Sequence, residues 1–512
     1  MAKWISTKGF ALSAMAVLLA GCNFAPTYEA PSTTMPAAYG EQTLLRYDSR
    51  TGKLTEETVK VDALESSDAV NALTPWQDFF KDETLKSLIA LALKDNRNMQ
   101  VAVARMEQAE AMWGGQRGAL FPQLGASVQG SRQQIPNPTG QGTQITSQYN
   151  AGVGLTAFEI DLFGRLRNLS DAAYERYLSS AQGVRSVQIA LVADTAIHYY
   201  RERMAWTLLE LARQTFEARK KNYNLVSARY RSGVASELDL SQAKGLVDAA
   251  AAQMAQLTRE QVQAQNALAI LIGQPIPDNL KQKQPISLKD QVARIPTGLP
   301  SELLTRRPDI LAAENTLRAA GANIGAARAA FLPSINLTGA LGVVSTALGD
   351  LFTAGVFGWT VAPALSVPLF TGGTLSANLD QATAAQREAV ASYQGSVEQA
   401  FREVSDVLAG ETTLQAQWDA LNGQTQAAKR SVNLSQARFA NGVDSFLAVQ
   451  NAQINHYNAL TQQVQTTFEL LSNRVNLYKA LGGGWDESQP GAARREAGSS
   501  TTPVVTRITS PS

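Results

Sequence analysis

Histidine and cysteine, the residues that most often bind transition metals or act as catalytic bases and nucleophiles, are scarce in this sequence. The 512 residues include two histidines, His198 and His456, and one cysteine, Cys22. The histidines lack HExxH spacing, and the chain has neither a P-loop motif nor a GxSxG nucleophile elbow. We therefore expect no zinc or other metal site and no catalysis. A formal net charge of +1 also gives no electrostatic basis for binding nucleic acid.

Cys22 is the residue whose surroundings specify a chemical role. Two lysines precede an apolar run, Phe10–Leu19, which is too short to span a bilayer and is typical of a signal peptide. The run ends in Leu-Ala-Gly-Cys, which resembles the lipobox of bacterial lipoproteins. The resemblance implies removal of residues 1–21 and acylation of Cys22, and Asn23 rather than aspartate at the next position favours the outer membrane. The alternative is a buried cysteine that follows a signal peptide by chance.

The sequence is duplicated. ARYRSGV and ARFANGV place Gly233 and Gly442 at offset 442 − 233 = 209, while FPQL and LPSI give 333 − 122 = 211 and DLF and PLF give 369 − 162 = 207. Such constant offsets indicate a tandem repeat. The chain then divides into a signal peptide (1–21), a lipid-anchored N-terminal segment (22–74), repeat 1 (75–273), a linker (274–300), repeat 2 (301–485) and a disordered tail (486–512).

Two segments of each repeat alternate between apolar and small or polar residues, as expected of strands with one side in lipid and the other in a water-filled lumen. The alternation in the first repeat shifts its phase near Phe158. Polar, Gly-rich segments such as Ile135–Tyr149 are predicted to be loops, and Asp48–Lys53 is predicted to be a turn. The four predicted strands are Leu124–Ser131, Val153–Phe163, Ser334–Val343 and Thr360–Val367.

Four strands are too few to close a barrel, for which eight is about the minimum in a single chain. Open strand edges are not tolerated in lipid, because their backbone groups would have no hydrogen-bond partner. If these strands span a membrane, several copies of the chain must each contribute four of them. The strand pattern does not give the number of copies.

Long helices are predicted for much of the remainder. Apolar and small residues recur at alternating spacings of three and four, which is typical of coiled-coil packing. Arg165–Arg231 contains no proline, so one helix could extend for about 100 Å at 1.5 Å per residue. Leu375–Asn441 has the same length. Heptads alone would also suit a lipid-anchored periplasmic coiled-coil scaffold, which is the alternative to a membrane-spanning duct.

Seven segments, distributed over both repeats, carry a specific resemblance. They are Gly298–Ile310, Ala313-Glu314, Ile324–Ala330, Asp161–Gly164, Gly233–Ser236, Gly442–Asp444 and Leu481–Trp485. Together they resemble the TolC-family outer-membrane channels, and within that family the lipoprotein, OprM-like branch of resistance-nodulation-division tripartite efflux systems. The resemblance extends over Pro75–Trp485.

The resemblance implies a mixed membrane α/β fold, in which a duplicated strand pair plus long coiled-coil helix hairpins form a trimeric 12-stranded β-barrel continued by a periplasmic α-helical barrel. It implies a passive outer-membrane exit duct that exports small molecules, such as drugs or other toxic compounds. The implied partners are two further copies, a periplasmic adaptor (membrane fusion) protein, an inner-membrane resistance-nodulation-division transporter and outer-membrane lipid. No cofactor is implied beyond the covalent lipid on Cys22.

In the family, the turns between the long helices form a periplasmic tip that meets the adaptor. By position, this implies adaptor contact at Gly233, Val234, Gly442 and Val443. A glycine where a helix stops is in the first place a C-cap with positive φ. The two roles are compatible.

Beyond each tip the family places a closing constriction, which matches Asp239 in the first repeat and Leu447 and Asn451 in the second. For Asp239 the alternative is a capping box with Ser236. Asn451 stands where the family commonly has an aspartate. We therefore expect a gate that is less sensitive to cations than its acidic relatives.

Overall fold

A computed structural model describes residues 23–32, 41–48, 51–60, 74–136, 140, 142–281, 283–288, 307–353 and 357–483. The predicted signal peptide, the predicted lipid-anchor residue Cys22, most of the Gly298–Ile310 motif and the predicted tail lie outside these residues. Most of the described residues are helical. Among these helices, none combines the length and the apolar character needed to cross a bilayer.

The described residues form six strands and eight α-helices. The strands are β1 (Glu41–Asp48), β2 (Lys53–Lys60), β3 (Leu124–Pro136), β4 (Thr143–Ile160), β5 (Ser334–Ser345) and β6 (Phe357–Ser366). The helices are α1 (Trp76–Phe79), α2 (Glu83–Asp95), α3 (Arg97–Gly118), α4 (Arg165–Arg231), α5 (Glu237–Ile272), α6 (Pro308–Ala329), α7 (Thr374–Ala440) and α8 (Phe446–Ala480).

The duplication appears as matching element lengths. Helices α4 and α7 have 67 residues each, α4 with the predicted bounds and α7 one residue earlier than predicted at both ends. Helices α3 and α6 have 22 residues each and begin 308 − 97 = 211 positions apart. Absence of proline lets the long helices continue without a break.

The chain forms two compact units, each built from both repeats. The first contains the described parts of Met1–Thr34, Gln100–Ser186 and Pro308–Glu398, and the second those of Met35–Met99, Val187–Arg307 and Gln399–Ser512. The repeats are therefore not separate domains. Each repeat supplies two strands to one sheet and a helix hairpin to the other unit.

The sheet of the first unit is antiparallel, with strand order β3-β4-β5-β6. Its register pairs Leu124 with Leu155, Leu155 with Gly339 and Gly339 with Val361. The two repeats thus meet in this sheet, at the pairing of β4 with β5. The predicted strands are confirmed, although their ends differ from those predicted.

The register places nearly all large apolar side chains of the sheet on one face. This apolar face carries Leu124, Ala126, Val128, Ala151, Val153, Leu155, Phe158, Ile160, Ile335, Leu337, Leu341, Val343, Phe357, Trp359, Val361, Pro363 and Leu365. The opposite face, here called the polar face, carries mainly Gly, Ala, Ser, Thr, Asn and Gln. The alternation predicted from sequence is therefore a property of the whole sheet.

The predicted loop Ile135–Tyr149 is longer than the connection that the structure shows. Strand β3 continues to Pro136 and β4 begins at Thr143, so most of the described part of the segment is strand. Here both faces carry polar residues, as where Gln134 donates a hydrogen bond to the Thr143 hydroxyl at 2.5 Å. Strands that are polar on both faces lack the alternation by which a half-buried strand is recognised.

The phase shift predicted near Phe158 is a β-bulge. The register changes between Leu155 and Phe158, and within the bulge Ala157 adopts φ 45°, in the left-handed region that non-glycine residues seldom occupy. The extra residue keeps Phe158 and Ile160 on the same face as Leu155. The bulge thus preserves the apolar face at the cost of one strained residue.

Glycines allow a close approach of β4 and β5 on the polar face. A Cβ at Gly152 would lie 2.5 Å from the Leu341 carbonyl oxygen, and one at Gly342 would collide with the backbone of Ala151 and Gly152. Side chains crowd on the inner side of a curled sheet, where glycine relieves the crowding. We infer that the sheet curls around its polar face.

The second unit has a core of large apolar side chains. Phe79 stacks on Tyr478 with ring centroids 4.4 Å apart, and both are fully or almost fully buried. Beside them, the Asp82 carboxylate accepts hydrogen bonds from Tyr199 at 2.6 Å and from Arg203 at 3.2 Å. These contacts join the segment before α2 to α4 and α8.

The N-terminal hairpin pairs β1 with β2 over eight residue pairs. The predicted turn Asp48–Lys53 includes Ser49 and Arg50, which lie outside the described residues; at its ends Asp48 and Lys53 form the last pair, and the Gly52 N–H donates to the Asp48 carbonyl at 2.8 Å. Gly52 has φ 67°, which its missing side chain permits.

We predict that Gly342→Ala destabilises the sheet, because its methyl group would overlap the backbone of β4; overpacking of this kind costs about 1–3 kcal/mol. Thermal unfolding of the purified protein checks this as a fall in midpoint. Gly125→Ala is the matched control, since Gly125 lies on the same face with nothing within 4 Å of its Cβ position. Equal midpoints for the two variants would contradict the close approach.

Candidate functional site

The apolar face of the sheet is largely uncovered in one chain. Along β6, Phe357, Trp359, Val361 and Leu365 expose 66%, 74%, 61% and 67% of their surface. Large exposed apolar patches mark surfaces that contact lipid or another protein. A bilayer would cover this face while the polar face stays in contact with water.

Two edges of the sheet are open. Strands β3 and β6 each pair on one side only, and no other described strand lies along their outer edges. An exposed row of backbone N–H and C=O groups is a template for pairing with another strand. The sheet therefore has the two features, an apolar face and complementary edges, that assembly within a membrane requires.

Ion pairs fix the junction between the first strand pair and helix α4. Arg165 donates to Glu159 at 2.9 Å, and the Asp161 carboxylate accepts a hydrogen bond from the Arg167 backbone N–H at 2.9 Å. The hydrogen bond to Glu159 is the main cause that raises the pKa of Arg165. Asp161 serves as an anion at the helix N-terminus, where the macrodipole favours it.

Residues 23–32, here called the N-terminal strap, lie along α6. Arg328 donates to the Phe24 carbonyl at 3.1 Å, and Tyr28 donates to Glu314 at 2.9 Å. Burial is the main cause that raises the pKa of Tyr28 to about 12. Gly325 makes room for the strap, since a Cβ there would lie 2.8 Å from the Ala25 backbone.

At the tips of the two helix hairpins, both predicted C-cap glycines have the expected conformation, with φ 72° at Gly233 and 73° at Gly442. The Gly233 N–H donates to Tyr230 and the Val234 N–H to Arg229, each at 2.9 Å, which is a Schellman motif. Gly442 and Val443 make the equivalent bonds to Phe439 and Arg438. Both glycines therefore act as helix C-caps. The residues that follow them, Val234 and Val443, are 66% and 62% exposed.

Asp239 forms the capping box that the sequence offered as an alternative to a gate. Its backbone N–H donates to the Ser236 hydroxyl at 3.1 Å, while its carboxylate accepts from the Ser236 backbone N–H at 3.0 Å and from the Ser236 hydroxyl at 2.7 Å. The side-chain bond to Ser236 is the main cause that lowers the pKa of Asp239. A carboxylate in this arrangement is ionised and held at the start of α5.

The second tip differs. Ser445, at the N-terminus of α8, makes no side-chain capping bond. Instead Asp444 accepts two hydrogen bonds from the Arg438 guanidinium, at 2.7 and 2.9 Å, and this pairing lowers the pKa of Asp444. Arg438 was not among the predicted site residues, although an arginine and an aspartate on either side of the turn glycine indicate such a pair.

The two tips of one chain touch through a small apolar core. Phe446 packs with Val226 and Ala243, and the Arg229 guanidinium lies 5.2 Å from the centroid of the Phe439 ring. This contact joins the end of the first hairpin to the end of the second. Buried contacts of this type hold the tips at a fixed spacing within the unit.

The predicted gate residues of the second repeat lie on one surface. Leu447 and Asn451 are both exposed on α8, four residues apart and so on the same side of the helix, and Leu447 is 54% exposed. Asp239 lies one turn into the first hairpin's second helix, also near its tip. Within the described residues no group of three or more His, Cys, Asp or Glu could hold a metal ion.

The family model described as "Outer membrane efflux protein" matches residues 88–274 and 299–483. These ranges cover most of the chain and correspond closely to the two repeats.

Named relatives cover almost the whole chain. The antibiotic efflux pump outer membrane protein ArpC and the toluene efflux pump outer membrane protein TtgC, both of Pseudomonas putida, are each 40% identical over 490 residues. Those residues are 95% of this chain and 97% of each relative. The open state of the Neisseria gonorrhoeae MtrE outer membrane channel is 36% identical with a TM-score of 0.79, covering 90% of this chain and 98% of that one.

The sheet, the helix hairpins and the relatives all indicate the same class of protein. This chain, with its four-stranded sheet and its duplicated long helices, shares its fold with a known outer-membrane channel. The protein therefore acts in the outer membrane, as the channel component of an efflux pump. The chain belongs to the outer membrane efflux protein family.

Proposed function

We propose that three copies of this chain close their sheets into one twelve-stranded barrel, which is the exit of a tripartite efflux pump. The observation that carries the proposal is the sheet itself, with one apolar face, one polar face and two open edges. Pairing β6 of each copy with β3 of the next satisfies every open edge, as lipid requires. The number three comes from the family resemblance.

The polar face would line the lumen. It is the side around which the close approach of Gly152 and Gly342 curls the sheet, so closure into a ring sets this face inward. The lining of this face is small and polar. We propose that the duct is passive.

We further propose a lipid anchor on Cys22. The sequence signal supports it, and so does the course of the N-terminal strap. The strap begins at Asn23, and the Phe24 ring lies 6.5 Å from the ring of Phe163, three residues beyond the end of β4. A lipid attached one residue before the strap would enter the membrane beside the sheet.

A periplasmic adaptor protein is the proposed partner of the tips. Two exposed apolar residues of the first hairpin, Leu225 and Val234, return in the second as Leu434 and Val443, both at an offset of 209 (434 − 225 and 443 − 234). All four are more than half exposed. Each chain thus offers two equivalent apolar surfaces to the adaptor, which in turn would connect the duct to an inner-membrane resistance-nodulation-division transporter.

Small toxic compounds are the proposed cargo. The names of two relatives refer to antibiotics and to toluene. A passive duct with a polar lining accepts what the pump delivers, so selection would take place upstream. The lipid-anchored coiled-coil scaffold, which is the alternative, requires neither an apolar sheet face nor open strand edges.

The proposed gate consists of Asp239, Leu447 and Asn451 near the tips. Repeated in each copy, Asn451 would form a ring of neutral amides that closes by hydrogen bonds and steric contact. Asp239 would supply a second ring, in which each carboxylate already accepts two hydrogen bonds from Ser236. Neutral amides bind divalent cations less strongly than clustered carboxylates.

The orientation of the sheet can be tested with neighbouring residues. Val361→Arg, on the apolar face, is expected to lose the heat-stable oligomer and ion conductance in planar bilayers, because arginine in the middle of a bilayer costs about 2–4 kcal/mol. Thr360→Arg, on the polar face, should retain both. Equal tolerance of the two arginines, with no conductance from the unaltered protein, would favour the scaffold.

Val234→Asp combined with Val443→Asp tests the tips. We expect a roughly tenfold or greater loss of adaptor affinity, since burying an uncompensated charge at an interface anchor costs more than about 1.4 kcal/mol. Cross-linking to the adaptor and drug susceptibility of cells measure the loss. Leu54→Asp, a change at an exposed residue of β2, is the control. Unchanged cross-linking at normal channel levels would refute contact at the tips.

Divalent-cation block of conductance tests the gate. The unaltered channel should show weak block, and Asn451→Asp should show stronger block, because it adds a ring of carboxylates. Asn451→Ala should resemble the unaltered channel. Strong block of the unaltered channel that Asn451→Ala abolishes would contradict the neutral-ring interpretation.

A further inference from the structure

The N-terminal strap lies in a groove at the end of α6, here called the first cradle. Gly325 forms the bottom of the groove, since a Cβ there would lie 2.8 Å from the Ala25 backbone, and Arg328 donates to the Phe24 carbonyl at 3.1 Å. Phe24 is two residues from Cys22, the proposed lipid anchor. Arg328 therefore lies at the level where the lipid would enter the membrane.

Helix α3 carries a copy of this groove, here called the second cradle. The 211-residue offset between the repeats maps Gly325 onto Gly114 and Arg328 onto Arg117, since 325 − 211 = 114 and 328 − 211 = 117. Arg117 lies 124 − 117 = 7 residues before β3, and Arg328 lies 334 − 328 = 6 residues before β5 in the same sheet. We therefore expect Arg117 at the same level of the membrane surface as Arg328.

The second cradle is open in one chain. Gly325 is buried, whereas Gly114 is exposed, and beyond the neighbouring backbone of its own helix no described atom lies within 4 Å of its Cβ position. Phe121, which follows α3, is more than half exposed. Each chain has one strap, and that strap occupies the first cradle. The occupant of the second cradle must therefore be something else.

The contacts that hold the strap farther along α6 are not duplicated. In the first cradle Glu314 accepts a hydrogen bond from Tyr28 at 2.9 Å, and the Arg318 guanidinium lies 4.7 Å from the centroid of the Tyr28 ring.

The same offset places Val103 and Glu107 at these two positions, since 314 − 211 = 103 and 318 − 211 = 107. Valine cannot accept a hydrogen bond, and glutamate reverses the charge of arginine. The second cradle thus keeps the part nearest the membrane and loses the part that holds a peptide. This difference favours a ligand that is confined to the membrane surface.

The residue beside Arg117 has also changed. Trp113 stands in the place of Ile324, since 324 − 211 = 113, and the Arg117 guanidinium lies 5.8 Å from the centroid of the Trp113 ring. The Trp113 ring stacks on Tyr177 with centroids 5.9 Å apart. Tryptophan and tyrosine are enriched in the headgroup region of bilayers, where arginine attracts anionic lipids. These residue types favour a lipid headgroup as the occupant.

Under the proposed function, on which this step rests, a neighbouring copy adds an apolar wall. In the first cradle the Phe24 ring lies 6.5 Å from that of Phe163, and the 207-residue offset maps Phe163 onto Phe370, since 163 + 207 = 370. Phe370 and Leu369 follow β6 and are both more than nine-tenths exposed. In the barrel β6 ends beside the α3 of the next copy, so Phe370 would face an acyl chain there as Phe163 faces Phe24.

We propose that the second cradle binds an anionic phospholipid of the periplasmic leaflet, such as phosphatidylglycerol. The Arg117 guanidinium donates to the phosphate, in the same role in which Arg328 donates to the Phe24 carbonyl. The planar fork of N–H donors suits a phosphate group. The headgroup lies over Gly114, and an acyl chain follows Phe121 towards the sheet. Each copy provides one such site.

Native mass spectrometry of the purified, delipidated protein in detergent tests the site. Phosphatidylglycerol should bind once per copy, and Arg117→Gln should weaken this binding roughly fivefold, as expected for the loss of one arginine at an anionic surface. Gly114→Leu should weaken it as well, because the new side chain fills the groove. Arg105→Gln is the matched control, since Arg105 is an exposed arginine of the same helix. Phosphatidylcholine, which has no net charge, should bind roughly fivefold more weakly.

Equal effects of Arg117→Gln and Arg105→Gln would overturn the site, because they would indicate unspecific attraction to positive charge. Bilayer conductance and the oligomeric state of the same preparations test the proposed function separately. A conducting trimer that binds phosphatidylglycerol no better than phosphatidylcholine would overturn the lipid site and leave the channel intact. A monomer that does not conduct, but loses phosphatidylglycerol on Arg117→Gln, would overturn the barrel and leave the site on α3.

Discussion

Backbone hydrogen bonding in a medium without water is the constraint on which this structure depends. Each strand in hydrocarbon must pair on both sides, because an unpaired N–H or C=O group there costs several kcal/mol. One chain supplies four strands and leaves the outer edges of β3 and β6 open. The exposed side chains of β6 and the close approach of β4 and β5 both fit the proposal that other copies complete the sheet.

The duplication meets this constraint by using one set of local interactions twice. The two repeats have diverged where their surroundings differ. The first junction of strand and helix has the ion pairs of Glu159 and Asp161, while the second has Gly372 and Gly373, both with positive φ. At the tips, the first hairpin uses a capping box and the second a pair between Arg438 and Asp444. Equal Schellman turns preserve the geometry of both tips despite this divergence.

Much of the fold follows from local patterns in the sequence. The proline-free segment Arg165–Arg231 predicts α4 with its observed bounds, and the shift of alternation near Phe158 locates the bulge. The polar ends of β3 and β4 could not be predicted, because strands outside an apolar layer lose their period of two. Contacts between distant residues also escaped prediction. Tyr28 and Glu314 are 286 residues apart, and no local pattern connects them. The capping box of Asp239 was foreseen; whether the same side chain also closes the duct depends on other copies.

The glycines between β4 and β5 bear on how copies of the chain associate before they insert into the membrane. A flat sheet with two open edges and an apolar face could stack edge to edge without limit and form fibres. A sheet that curls at Gly152 and Gly342, as inferred from their close approach, would turn successive edges away from a common plane. Addition of copies then follows an arc that ends when the first edge meets the last. In the proposed barrel, curvature encoded in a single chain would thus limit the number of copies and disfavour open-ended aggregation.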